Sequence, residues 1–304
     1  MSQSASTTNR AYLITGGNAG IGYFTAEQLA GTGATVVLGS RSPARAETAL
    51  DAIRARVPGA RVRSVRLDLA DLGSLRAAAE SLEMEHLDAV VHNAGVLLEE
   101  PERTETGDGN ETHFGINHLG HFALTHWLMP LLEAAPDARI VTVGSFAAKS
   151  ERLDLDDLQS RTDYRAKRTY ARSKLAQMYF GLELDRRLRA ADSTVSSVVV
   201  HPGGALNSLT PSRPPVHVRG AGAALRAAPA ALVLQGKHAG ARPAVRAVLD
   251  PRIAGGELWG PRIFGLRGRP HRERLWTQLE DREAARRLWD ASAKLTGVAP
   301  VAGK

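Results

Sequence analysis

The chain has 304 residues, 43% hydrophobic and 23% charged, with no cysteine and a formal net charge of +7. That is ample apolar material for the core of one α/β unit, and the missing cysteines exclude disulfides, thiolate metal sites and a cysteine nucleophile. The positive charge is dispersed as arginines beside acids, as in Glu280-Asp281-Arg282-Glu283, so no nucleic-acid partner is expected. No run of eighteen apolar residues occurs, so no membrane partner is expected either.

Residues 1–9 are Ser/Thr-rich without an apolar stretch and read as a disordered tail, which makes a cytoplasmic protein the expectation. A short apolar run at 11–14 suits a buried strand. It leads into Thr15-Gly16-Gly17-Asn18-Ala19-Gly20-Ile21-Gly22, and a helical pattern follows at 23–30. Strand, glycine loop and helix in that order form a cradle for phosphate. The glycines allow a tight turn and close approach of the backbone, and the helix N-terminus presents N–H donors.

Further strands are predicted at 35–38, 61–67, 87–92, 139–143 and 195–201, with helices at 44–56, 72–82, 109–134 and 169–189. Between Pro202 and Pro243 prolines and glycines cluster, which predicts a mobile lid with short helices at about 206–240. Leu258-Trp259-Gly260 belongs in or beside a last strand, and a closing helix is predicted at 282–295. The alternation of strand and helix predicts an α/β fold: one domain, 10–304, with a doubly wound parallel sheet and helices on both faces.

Tyr170-Ala171-Arg172-Ser173-Lys174 places a phenol and an ammonium four apart, on one face of the helix. A cation there can favour the phenolate, giving a proton donor and acceptor usable near neutral pH at a C–OH or C=O group. Ser145 ends the fifth strand twenty-five residues upstream, at the sheet edge where α/β proteins bind ligands. The second strand ends in Ser40-Arg41, with Arg41 nineteen residues after Gly22 and no acid beside it. An arginine at that place can pair with a ribose 2′-phosphate through its planar fork, where an acid would select the 2′-hydroxyl.

His113, His118, His121 and His126 invite a metal reading, but no acid or cysteine completes a set. Packing roles are expected of them, and no metal is expected. Asp154, Asp156 and Asp157 lack the glycine and terminal glutamate of a calcium loop.

The spacing Gly16-x-x-x-Gly20-x-Gly22 resembles the cofactor loop of short-chain dehydrogenases/reductases. So do Asn93-Ala94-Gly95 after the fourth strand, Asn117, Ser145, and the Tyr170/Lys174 pair. Asn117-His118-Leu119-Gly120-His121-Phe122 and Arg287-Leu288-Trp289-Asp290 bring it nearest the retinol-dehydrogenase-like branch. The resemblance implies a Rossmann-type fold and NADP(H) as cofactor. Its implied cofactor contacts are Gly16, Asn18, Gly20, Ile21, Gly22, Ser40, Arg41, Asp68, Leu69, Asn93, Ala94, Gly95, Tyr170, Lys174, Pro202, Gly203 and Asn207. Catalysis would fall to Tyr170 as acid/base, Lys174 as support for its phenolate, Ser145 on the substrate oxygen, and Asn117 at a proton-relay water. The family commonly has Thr or Ser where this chain has Asn207, which leaves that contact open. Asp68 could instead cap the following helix.

The substrate implied is a small carbonyl compound or alcohol, hydrophobic or polycyclic, interconverted between ketone and secondary alcohol or between aldehyde and alcohol. Homodimers through the helices of Asn117 and Tyr170 are common in the family. Two other readings stay open on the same scaffold: a non-redox enzyme such as a cyclase or epimerase, and an NADP-sensing binding protein.

Overall fold

The computed structural model describes residues 9–220, 222, 229–299 and 301. The expected tail, except its last residue, and the lid positions 221 and 223–228 lie outside the described residues. Six parallel strands, β1 (Ala11–Thr15), β2 (Thr35–Ser40), β3 (Arg61–Arg66), β4 (Ala89–His92), β5 (Arg139–Val143) and β6 (Ser196–Val200), form most of one sheet. A two-residue pair, β7 (Ala205–Leu206) and β8 (Gln235–Gly236), stands apart. β9 (Leu258–Ile263) joins β6 in parallel and turns into the antiparallel β10 (Arg267–Glu273). The order is β10-β9-β6-β5-β4-β1-β2-β3.

The central strands read as continuous apolar runs because both faces are covered. Leu13, Val37 and Val90 join one core, while Tyr12, Ile14, Val36, Leu38, Ala89 and Val91 join the other. On the first face lie α3 (Leu75–Glu80), α5 (Gly120–Glu133) and α6 (Ala166–Ala190); on the second, α1 (Gly20–Ala30), α2 (Pro43–Arg56) and the helix Arg242–Leu249. The closing helix Arg282–Thr296 packs on α6. This is the single-domain, doubly wound, Rossmann-type sheet that the alternation predicts. No helix among the described residues is long and apolar enough to cross a membrane.

Three local departures from the predicted elements have physical causes. The helix expected at 72–82 begins as a 3-10 turn, Leu72–Ser74, because the Asp71 carboxylate accepts from Ser74 N at 3.2 Å and tightens the entry. The helix expected at 109–134 starts at α4 (Thr112–Phe114) and widens into a π-turn, Gly115–Leu119, before α5. Strand β10 was not predicted, since Arg267–Glu273 has no apolar alternation; it is a sheet edge carrying charge and a proline, as edges commonly do.

Three fully buried histidines, His92, His118 and His121, sit where β4 meets the Asn117 segment. His118 Nε2 is 2.7 Å from Ser292 Oγ, and the His92 and His121 rings are 4.8 Å apart. Burial is the main cause holding all three below the ordinary imidazole pKa, to about 3 for His118 and His121. The folded state therefore keeps them neutral while the unfolded chain takes up protons below about pH 6.5. Stability should be fully present above that pH and fall as it drops, with each histidine costing up to roughly 1.4 kcal/mol per pH unit well below 6.5. Urea titrations between pH 7.5 and 5 should show this loss, with a shallower slope in His118→Gln. A profile flat across that window would contradict the assignment.

Candidate active site

The cleft opens where the chain reverses direction across the sheet, between the carboxyl ends of β1 and β4, as doubly wound sheets dictate. The loop after β1 passes through left-handed backbone at Gly16 (φ +65°) and Gly20 (φ +59°), so glycine is needed at both. Gly22 is a glycine for a different reason: a Cβ there would stand 2.3 Å from Asn93 Nδ2 and 2.4 Å from the Gly16 carbonyl. The turn is braced from behind. Asn93 Nδ2 donates to Thr15 O, and the Thr15 hydroxyl accepts from Asn93 N and Ala94 N, all at 2.9 Å. No side chain caps α1 and no acid lies in its first turn, which leaves its N–H groups for an anion.

A cleft of about 620 Å³ runs along this loop. It gathers most of the residues expected to bind cofactor: Gly16 and Asn18 from the loop, Gly20 and Ile21 from the start of α1, Ser40 and Arg41 at the end of β2 and just beyond it, Asp68 and Leu69 after β3, and Asn93, Ala94 and Gly95 after β4. Tyr170 stands on the same wall. Arg41 is exposed, and no carboxylate among the described residues engages it. The Asp68 carboxylate accepts from Ala70 N at 3.0 Å, and the helical cap nearby is Asp71 instead. Pro202, Gly203 and Asn207 do not line this cleft. The Pro202 carbonyl accepts from Gln235 Nε2 at 2.8 Å, Gly203 packs on the Leu266 carbonyl, and Asn207 is exposed in the turn Asn207–Leu209.

Ser145 starts the 3-10 turn Phe146–Ser150 at the end of β5, its hydroxyl accepting from Ala147 N at 3.3 Å. It also hydrogen-bonds the Tyr170 phenol, which favours the phenolate; burial outweighs that effect and raises the phenol pKa above its ordinary value. Lys174 is buried on the same helix face, and burial lowers its pKa to about 7. Its ammonium donates to Val143 O at 2.6 Å and to Gln177 Oε1. The spacing predicts a lysine aimed at the phenolate, whereas here the ammonium is held by these two oxygens and the phenol keeps its proton.

Asn117 lies in the π-turn, a feature frequent at functional sites. Its Oδ1 accepts from Val96 N at 2.8 Å, and its Nδ2 donates to Val96 O and to Ser173 Oγ at 3.1 and 2.9 Å. It therefore ties the loop after β4 to the helix of Tyr170 and Lys174.

Four participants are absent from the sequence-based set. Gln177 holds Lys174, and its Nε2 donates to His92 O at 3.2 Å; its i+3 spacing from Lys174 was the available signal. His121 bridges Asn117 O and Thr15 Oγ1, both at 2.9 Å. His113 Nδ1 is 2.8 Å from Glu111, its Nε2 accepts from Leu98 N at 3.1 Å, and its ring meets Tyr170 edge-on at 6.2 Å. Lys237, from the lid segment, reaches the glycine loop. The histidines considered for a metal thus have packing and positioning partners, His126 lying against Trp127. The slightly larger depression of about 650 Å³ around Trp276 contains none of the residues gathered around Tyr170.

The sequence profile described as "short chain dehydrogenase" matches residues 10–213. Retinol dehydrogenase 13 of Homo sapiens is 34% identical over 297 residues, which cover 97% of this chain and 86% of that protein. Polyprenol dehydrogenase of Mus musculus is 38% identical over 297 residues, covering 95% and 84%. A crystal structure from Mycobacterium Paratuberculosis superposes with a TM-score of 0.77 at 35% identity, over 97% of this chain and 96% of that one. The Pseudomonas aeruginosa RhlG/NADP complex aligns at 26% identity with a TM-score of 0.53, over 67% and 76%. The chain belongs to the short-chain dehydrogenase/reductase family, in its retinol-dehydrogenase-like branch, and is an oxidoreductase.

Proposed function

We propose that this protein is an NADP(H)-dependent oxidoreductase that interconverts a ketone and a secondary alcohol, or an aldehyde and an alcohol, on a hydrophobic or polycyclic small molecule. The observation that carries this reading is a half-buried phenol, Tyr170, beside Ser145 on the wall of the cleft that also contains the glycine loop and Arg41. The residues present fit a dinucleotide: the first turn of α1 is uncapped, Gly22 removes the Cβ that would block the turn, and Arg41 is available for a 2′-phosphate. Val96, Leu97 and Ile116 line the cleft with apolar surface, and the relatives quoted above are named for retinol and polyprenol. The solved RhlG neighbour was captured with NADP.

When bound, the nicotinamide supplies or accepts the hydride. The chain manages the proton. Tyr170 can give its proton to a carbonyl oxygen as charge develops there, and Ser145 can donate to the same oxygen. In the opposite direction the phenolate takes the proton, favoured by the Ser145 hydroxyl. Lys174, buried beside Gly95, adds positive potential at the end of the cleft; a Cβ on Gly95 would lie 3.7 Å from its Nζ.

Tyr170→Phe should preserve the fold and NADPH binding and lower turnover by about 10² or more, the scale of lost general acid/base catalysis. NADPH absorbance with a panel of ketones, alongside matched thermal melts, measures it. Near-normal turnover in the folded variant would remove the phenol from the mechanism and favour a non-redox role.

Arg41→Ala should weaken NADPH binding by about ten- to a hundredfold and leave NADH nearly unchanged, since a hydrogen bond to a charged group is worth roughly 1.5–3 kcal/mol. Fluorescence titration with both cofactors measures it. Equal weakening of the two would give Arg41 a structural role, and an unmutated protein that prefers NADH would overturn the cofactor assignment.

A further inference from the structure

Lys237 opens the short helix Lys237–Gly240 at the end of the lid segment, immediately after β8. Its backbone is firmly held. The Lys237 N–H donates at 2.9 Å to the Thr210 hydroxyl, which is fully buried and itself donates to Leu206 O at 2.7 Å. The next carbonyl, of His238, accepts from Gln28 Nε2 of α1 at 3.1 Å, and the His238 ring meets Phe24 edge-on at 5.6 Å.

From this base the lysine stem reaches back over the glycine loop. Its Nζ lies 3.7 Å from where a Cβ on Gly20 would stand, in the cleft shared with Gly16, Asn18 and Arg41. No side-chain hydrogen bond or ion pair engages this ammonium among the described residues, and burial depresses its pKa. It faces the uncapped first turn of α1, which carries about half a positive charge and has no acid to offset it. Two positive groups set face to face repel unless an anion lies between them. Arg213, also from the lid, shows the contrast, since it is neutralised by Glu27 of α1 at 2.6 and 3.0 Å.

Building on the dinucleotide reading above, we propose that Lys237 is an anion clamp, engaging the cofactor's pyrophosphate from the lid side while the first turn of α1 engages it from the sheet side. The pyrophosphate is common to NADPH and NADH, so the clamp contributes affinity without selecting between them. That separates its role from that of Arg41.

The test is binding of NADPH, NADH and 2′-AMP to the full-length wild-type protein, Lys237→Met, Lys237→Arg and Arg41→Ala, followed by fluorescence or calorimetry. 2′-AMP carries the 2′-phosphate and lacks the pyrophosphate. Lys237→Met should lose about ten- to a hundredfold for both dinucleotides by the same factor and leave 2′-AMP unchanged. Lys237→Arg should recover most of the loss, and the salt dependence of NADPH binding should be shallower in Lys237→Met than in the wild type. Arg41→Ala should give the opposite pattern, losing NADPH and 2′-AMP and keeping NADH. Wild-type affinity for both dinucleotides in folded Lys237→Met would overturn the clamp. A loss confined to NADPH and shared by 2′-AMP would also overturn it, and would assign the lysine to the 2′-phosphate. A wild type that prefers NADH would sink the NADP reading alone, because the clamp is then judged on NADH; a wild type that binds neither dinucleotide would sink both.

Discussion

The hydroxyl of Thr15 is the point from which the cleft takes its shape. Its oxygen accepts from Asn93 N and Ala94 N, which ties the end of β1 to the turn after β4. Its hydrogen can go to His121 Nε2 at 2.9 Å, in preference to the Val91 carbonyl at 3.3 Å. The other nitrogen of His121 faces the Asn117 carbonyl at 2.9 Å, and a carbonyl only accepts, so Nδ1 carries the ring proton. Nε2 is then the acceptor that the Thr15 hydroxyl requires. The assignment works only for a neutral ring, and burial holds His121 neutral. Asn117 extends the connection to Val96 and Ser173, one residue from Lys174. A continuous set of satisfied hydrogen bonds thus runs from the glycine loop to α6, the helix of Tyr170 and Lys174. Such networks specify a position when every member is paired.

Burial acts in opposite directions on the two ionisable groups of that helix. It disfavours charge, so the phenol of Tyr170 is raised and the ammonium of Lys174 is lowered to about 7. The pair therefore rests with its proton on the phenol, which is the form a reductase needs at the start of its step. Val143 O and Gln177 Oε1 are what keep a buried lysine tolerable. They also set the cost of any reorientation toward the phenol or a bound ribose, because two good acceptors must be replaced. Gln177 is in that sense part of the electrostatics of the site, although it faces neither the cleft nor solvent.

What was legible beforehand follows from locality. The run 139–143, Arg-Ile-Val-Thr-Val, became β5 with the predicted bounds, because four of its five residues are β-branched and suit a pleated, buried strand. The glycine loop, Arg41 and the Tyr170/Lys174 spacing are likewise local signals. The partnerships that complete the site are not local: Thr15 meets His121 across 106 positions, and Arg213 meets Glu27 across 186. A histidine bonded to a strand end has the same letter as one packed in a core. The π-turn at Gly115–Leu119 has no compositional mark either. It is shown by the Gly120 N–H bonding five residues back to Gly115.

The lid segment illustrates the same limit with a functional consequence. Its prolines and glycines predict a mobile element, and it proves to be fastened to α1 at two places, by the Arg213–Glu27 pair and by Gln28 on the His238 carbonyl. The first fastening is largely out of water, with Arg213 and Glu27 side chains 16% and 6% exposed. An ion pair so placed resists breaking, because removing either partner strands a buried charge. Both fastenings rest on α1, the helix whose first turn borders the glycine-loop cleft. A group bound at that turn would act on α1 and on the anchored end of the lid together. The glycine-loop cleft and the lid segment then share one mechanical support, and differential contact with that support is what a coupling between two places in a fold requires.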